Sequence, residues 1–128
     1  MKYLMDTHIF LWWILENPKL KERVKAIIRN KHNILYLSAA STWEMLIKSG
    51  AGKLSLPDSP EIFIRRQLLL NDINILDITL QHTFALAELP LIHKDPFDRI
   101  LIAQAKCENC TFITDDTLIK SYDVNVAD

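Results

Sequence analysis

Short apolar runs alternate along this chain with longer stretches in which apolar positions recur every three or four residues, the two periods of strand and helix. Tyr3-Leu4-Met5, Ile34-Leu35-Tyr36-Leu37, Ile73-Asn74-Ile75-Leu76 and Thr111-Phe112-Ile113-Thr114 predict strands, and Val124-Asn125-Val126 a last edge strand. Helices are predicted over 7–17, stopped by Pro18, and over 20–30, where Leu20, Val24, Ile27 and Ile28 share one face opposite basic residues. Further helices are expected over 38–49, closed by Gly50-Ala51-Gly52, from Ser59 to Asn71, over 79–88 before Pro90, and from Pro96 to Glu108. A short helix is expected over 115–121. Strands alternating with helices predict a three-layer α/β domain with a mostly parallel sheet, because parallel neighbours need crossover connections.

One helix start carries more acid than capping needs. In His93-Lys94-Asp95-Pro96-Phe97-Asp98-Arg99, Asp95 reads as the N-cap and Pro96 as the first helical residue. Asp98 follows in the first turn, above Leu101, Ile102 and Ala105 at i+3, i+4 and i+7. It therefore tops an apolar stripe, where a carboxylate is costly without a positive partner. First-turn acids also gain up to about 1 kcal/mol from the helix dipole, so Asp98 alone does not decide the matter.

Composition narrows the field. With 128 residues and 49% hydrophobic content, the chain is expected to form one domain over 1–128 with a core that needs neither disulfide nor structural metal. A formal charge of -1 gives no global basic footprint for nucleic acid, so phosphate contacts must be local. Lys48, Lys53, Arg65, Arg66, Lys94, Lys106 and Arg99 are available, of which Arg99 stands out by its place beside Asp98. Asp6 comes too early for a signal peptide and the apolar run 9–15 is too short to span a bilayer, so a cytoplasmic protein without a membrane segment is expected. Cys107 and Cys110 fall at a predicted helix end, the wrong place to lower a thiolate pKa, and read as free thiols. His8, His32, His82 and His93 are dispersed and suggest no zinc site.

In a parallel α/β sheet the carboxyl ends of the strands share one edge with the helices that follow them. Asp6 closes the first strand, Glu44 lies early in the helix after the second, Asp116 follows the fourth, and Asp98 can fold back to the same edge. Each has a plainer reading. Glu44 completes a Ser41-x-x-Glu44 capping box, and Asp115 or Asp116 suits a turn. Asp6 is hardest to explain away, since it ends a strand expected at the sheet centre. Converging carboxylates repel unless a hard divalent cation neutralises them, and oxygen ligands select Mg²⁺ or Mn²⁺. Phosphodiester hydrolysis is the natural chemistry of such a site.

These residues resemble those of the PIN-domain ribonucleases, and among them the VapC-type toxins of bacterial and archaeal toxin–antitoxin pairs. The likeness rests on Met5-Asp6-Thr7-His8, Ser41-Thr42-Trp43-Glu44, the 93–99 stretch with Ile102-Ala103-Gln104-Ala105, and Thr114-Asp115-Asp116 with Tyr122, and it spans essentially the whole chain. It implies a three-layer PIN-like fold with a five-stranded, mostly parallel sheet flanked by helices. It also implies a catalytic, Mg²⁺- or Mn²⁺-binding set of Asp6, Glu44, Asp98 and Asp116, supported by Thr7 and Thr114, with Arg99 as a phosphate or structural contact. The implied activity is endonucleolytic cleavage of RNA by metal-activated water, silenced by a small antitoxin protein, in a chain that forms a homodimer. Asp115 sits where the family pattern often has a small or variable residue, so either acid of the pair could reach the metal; motif register favours Asp116. Trp12, Trp13 and Trp43 are expected to pack into the core in preference to stacking on bases. Two competing readings remain: a PIN-like module that binds RNA or a partner without cutting, and a receiver-type phospho-acceptor domain, which lacks its acidic pair and lysine here.

Overall fold

The computed structural model describes residues 1–128. Its elements are β1 (Lys2–Met5), α1 (Thr7–Ile14), α2 (Glu22–Arg29), β2 (Ile34–Ser38), α3 (Ala39–Gly50), α4 (Pro60–Leu70), β3 (Ile73–Leu76), α5 (Leu80–Ala85), α6 (Pro96–Cys107), β4 (Thr111–Ile113) and β5 (Val126–Ala127). The five strands form one all-parallel sheet in the order β3-β2-β1-β4-β5. β1 is central. Successive side chains along β1 leave the sheet on opposite faces, and the core divides accordingly. Tyr3 and Met5 join Ile9, Phe10, Val24, Leu37, Met45 and Ile64 on the side of α1, α2 and α4. Leu4 joins Leu101, Ile102, Ala105, Phe112 and Ile119 on the side of α6. With both faces covered, this is the three-layer α/β arrangement that the alternating pattern predicts.

The differences from the predicted elements have local causes. α1 ends at Ile14, and Glu16 then takes φ 54, a left-handed turn that reverses the chain before Pro18. The 79–88 helix is α-helical only to Ala85 and closes as a 3-10 turn over Leu86–Glu88. The expected helix over 115–121 shrinks to a 3-10 turn, Ile119–Ser121, because the Asp116 side chain accepts a hydrogen bond from Leu118 N. The edge strand sits two residues later than predicted, pairing Phe112 with Val126 and Ile113 with Ala127.

A capping expectation is also corrected. The N-cap of α3 is Ser38, whose hydroxyl accepts from Ala40 N; Ser41 lies inside the helix, so Ser41 and Glu44 form no capping box. Trp12 and Trp13 pack against the core as expected, whereas Trp43 is 58% exposed, edge-on to Phe97. Cys107 and Cys110 are both free thiols. No helix is long and apolar enough to cross a membrane.

Candidate active site

Asp6 is the first residue beyond β1 and the N-cap of α1. Its backbone N donates to Ile113 O at 2.9 Å, which ties it to the end of β4 as well. The carboxylate is 2% exposed and well supplied with donors: Thr7 N at 2.8 Å on Oδ1 and the Thr114 hydroxyl at 2.6 Å on Oδ2. The Thr7 hydroxyl donates to Ser41 Oγ at 2.8 Å, linking α1 to the first turn of α3. Thr114 also accepts from Asp116 N at 3.1 Å, so one hydroxyl joins two of the predicted acids. Burial raises the Asp6 pKa; His8, Thr114 and Thr7 N pull against it, and the charge of Glu44 adds to it.

Asp98 lies in the first turn of α6, whose N-cap Asp95 accepts from Phe97 N at 2.8 Å and Asp98 N at 3.4 Å. Its own side chain is free to reach across. Burial, then the charges of Asp6 and Asp95, push its pKa up to about 7; His93 opposes this, and Glu44 adds to it. Glu44, one turn further into α3 than a cap would be, forms an ion pair with Lys48 at 2.9 Å. Asp6, Glu44 and Asp98 thus share one electrostatic field, while Asp116 is joined to Asp98 through a residue outside the four acids.

That residue is His93. Its Nε2 lies 2.8 Å from Asp116 Oδ2 and 3.1 Å from Asp98 Oδ2, and the three donor atoms fall within 4.8 Å of one another. Nδ1 accepts from Asp95 N at 3.1 Å, so in the neutral ring the proton sits on Nε2. Burial opposes a positive charge on the ring, but the hydrogen bond with Asp116 and the charges of Asp98, Asp116 and Asp95 outweigh it and raise the His93 pKa. His8 plays a related part on the other side, with Nε2 at 2.5 Å from Asp115 and Nδ1 at 3.5 Å from Asp6 Oδ2. In the sequence both histidines look scattered. The available signal was adjacency, since His8 follows Asp6 by two residues and His93 precedes Asp95 by two.

Arg99 makes structural contacts in the fold. Its guanidinium donates to Pro90 O at 2.9 Å, Tyr122 Oη at 3.2 Å and Leu86 O at 3.4 Å, so it braces the loop before α6 and makes no contact with the acids. Asp115 and Asp116 separate cleanly: Asp116 faces Asp98 and His93, while Asp115 meets only His8 among the site residues.

Asp6 is buried and its pKa raised, and Asp98 is pushed up to about 7 by burial first and then by the charges of Asp6 and Asp95, so the cluster holds more carboxylate than its histidines offset. Oxygen donors under mutual repulsion suit a hard divalent cation. A family model described as PIN domain matches residues 3–125. The chain belongs to the PIN domain family. This PIN domain is similar in fold to VapBC2 from Rickettsia felis bound to a promoter DNA fragment, at TM-score 0.74 and 19% identity over 99% of this chain and 98% of that one. It is likewise similar to VapBC-1 from nontypeable Haemophilus influenzae, at TM-score 0.65 and 24% identity over 100% and 98%. A third likeness is to FitAcB from Neisseria gonorrhoeae, at TM-score 0.64 and 23% identity over 98% and 96%. No curated protein matches the sequence.

Proposed function

We propose that this PIN domain is a metal-dependent endoribonuclease that serves as the toxin of a toxin–antitoxin pair. The observation that carries the reading is Asp98: an acid placed over an apolar stripe, raised to about 7 beside Asp6 and Glu44, and facing Asp116. Asp6, Asp98 and Asp116, with Glu44 at their margin, would hold Mg²⁺ or Mn²⁺. The chemistry such an ion supplies is activation of water and stabilisation of charge on a phosphoryl oxygen. The chain's own residues do the placing. Thr114 and Thr7 N orient the Asp6 carboxylate, and the Asp95 cap aims the α6 end that carries Asp98. RNA is the substrate that the family resemblance implies.

The toxin role is supported by a fold relative described as a toxin–antitoxin complex from Klebsiella pneumoniae, at TM-score 0.65 and 20% identity over 98% of this chain and 96% of that one. It draws further support from surface that suits partners. Trp43, Leu46 and Ile47 of α3 and Leu69 and Leu70 of α4 are exposed apolar side chains, of the kind a homodimer or an antitoxin covers. Purified, partner-free protein should cut RNA in Mn²⁺ or Mg²⁺ and stop on chelation. Intact transfer, ribosomal and messenger RNA after such incubation would instead support a binding module that does not cut. For the toxin role, expression should arrest growth unless a small neighbouring reading frame is expressed with it, and that product should co-purify.

A further inference from the structure

The His93 ring stands where a cation shared by Asp98 and Asp116 would stand. Nε2 is nearly equidistant from the two facing oxygens, at 3.1 and 2.8 Å. One N–H cannot point straight at both carboxylates, and here the hydrogen bond goes to Asp116 while Asp98 stands at ion-pair distance beside it. Nor is the ring there by default. Tyr122 Oη accepts from Ile92 N at 3.1 Å and His93 N at 2.7 Å, and Arg99 donates to Tyr122 Oη and to Pro90 O. Four hydrogen bonds therefore fix the backbone that carries His93, and Tyr122 belongs to the buried cluster under α6. The Asp95 N–H on Nδ1 fixes the ring from its other end.

The same hydrogen bond decides what the ring can do. A ring nitrogen that carries a proton has no lone pair for a metal, and with Nδ1 accepting from Asp95, the proton is on Nε2, toward the acids. In that tautomer the His93 ring donates to the acids and offers no metal ligand. The side chain is 13% exposed, so it borders solvent. We propose that the His93 ring is an intramolecular stand-in for the cation, closing the gap between Asp98 and Asp116 in the metal-free protein and rotating out before a divalent ion bridges them. This rests on the metal-dependent reading given above and adds to it a cost of loading set by the chain itself.

The test is Mn²⁺ binding by calorimetry on the purified full chain, as wild type, His93→Ala and Asp98→Asn. His93→Ala should bind Mn²⁺ about tenfold more tightly than wild type, since it removes a charge-assisted contact that the ion must otherwise break. Asp98→Asn should bind more weakly than wild type. Equal or weaker binding by His93→Ala, with wild type still binding, overturns the stand-in role and leaves the nuclease reading in place. No binding by either protein overturns both. Should His93→Ala fail to fold, ring nitrogen NMR of the wild type decides. Saturating Mg²⁺ should shift the His93 Nε2 signal away from its carboxylate-bonded position, and an unmoved signal overturns the proposal.

Discussion

The two sides of the acidic site are built on different principles. On the Asp6 side the carboxylate is 2% exposed, and every contact that holds it comes from the end of a strand or the start of a helix: β1, β4 through Ile113 and Thr114, and α1 through Thr7. On the Asp116 side the carboxylate is partly open, follows β4 on a turn, and meets Asp98 only through the His93 ring. One side is part of the sheet's own hydrogen bonding; the other is an arrangement of side chains on loops. The Asp6 wall is thus set by the fold of the sheet itself, the Asp116 wall by contacts among side chains.

The largest effects should come from removing charge on either wall. Asp6→Asn is expected to reduce RNA cleavage by on the order of a thousandfold, with Asp116→Asn comparable. Asp115→Asn, paired only with exposed His8, should stay within a few-fold of wild type in the same cleavage assay. A reversal of that order between Asp115 and Asp116 would break the division into two walls. Next comes Thr114→Val, which removes the donor to Asp6 Oδ2 and the acceptor for Asp116 N at once. Cleavage should drop by about 10- to 100-fold while Mn²⁺ still binds, because the ligands stay but lose orientation.

A smaller effect concerns pH. The Asp98 carboxyl ordinarily titrates at 3.8 but lies at about 7 in the fold, so the folded chain holds an extra proton between those values. Its contribution therefore turns unfavourable as pH rises through that window. His93, raised above its ordinary 6.5, stabilises fully below that value and loses its contribution as pH climbs past the raised one. Both signs agree: without metal, the free energy of unfolding should fall as pH rises from about 4 through about 7, by an amount on the order of 1 kcal/mol after solvent screening, read as a falling melting temperature. Added Mn²⁺ should cancel the fall, and a metal-free protein more stable at the upper pH would contradict the shifts. Smallest of all, Lys48→Ala breaks an ion pair with one half-exposed partner and should change stability by no more than about 0.5 kcal/mol in urea melts.

Legibility in the sequence follows the same division. β1 to β4 were readable because each is a compact apolar run, and Asp6 because a charge directly ends one of them. Asp95, Pro96 and Asp98 announced the start of α6 through capping chemistry, which is local in sequence. What escaped depends on contacts between distant segments. Nothing near residue 93 in the chain reveals that Asp116 will face it, and nothing near Arg99 reveals the carbonyls of Pro90 and Leu86. The capping box at Ser41 and Glu44 failed for a similar reason, because Ser38 ends β2 and takes the cap three residues earlier, freeing Ser41 to accept from Thr7. β5 slid by two residues because its pairing with β4, rather than its own composition, sets its register.

The strand order also bears on how the protein is made. β1 gains its first neighbour once residues 34–38 have been synthesised, but its other neighbour is β4, at residues 111–113. Through most of translation the central strand has one open edge, and Asp6 lacks both Ile113 O and the Thr114 hydroxyl. Asp98 and Asp116 likewise come late. The site cannot assemble on a ribosome-bound fragment that stops short of β4, so a chain released early carries an exposed strand edge but no complete acidic centre.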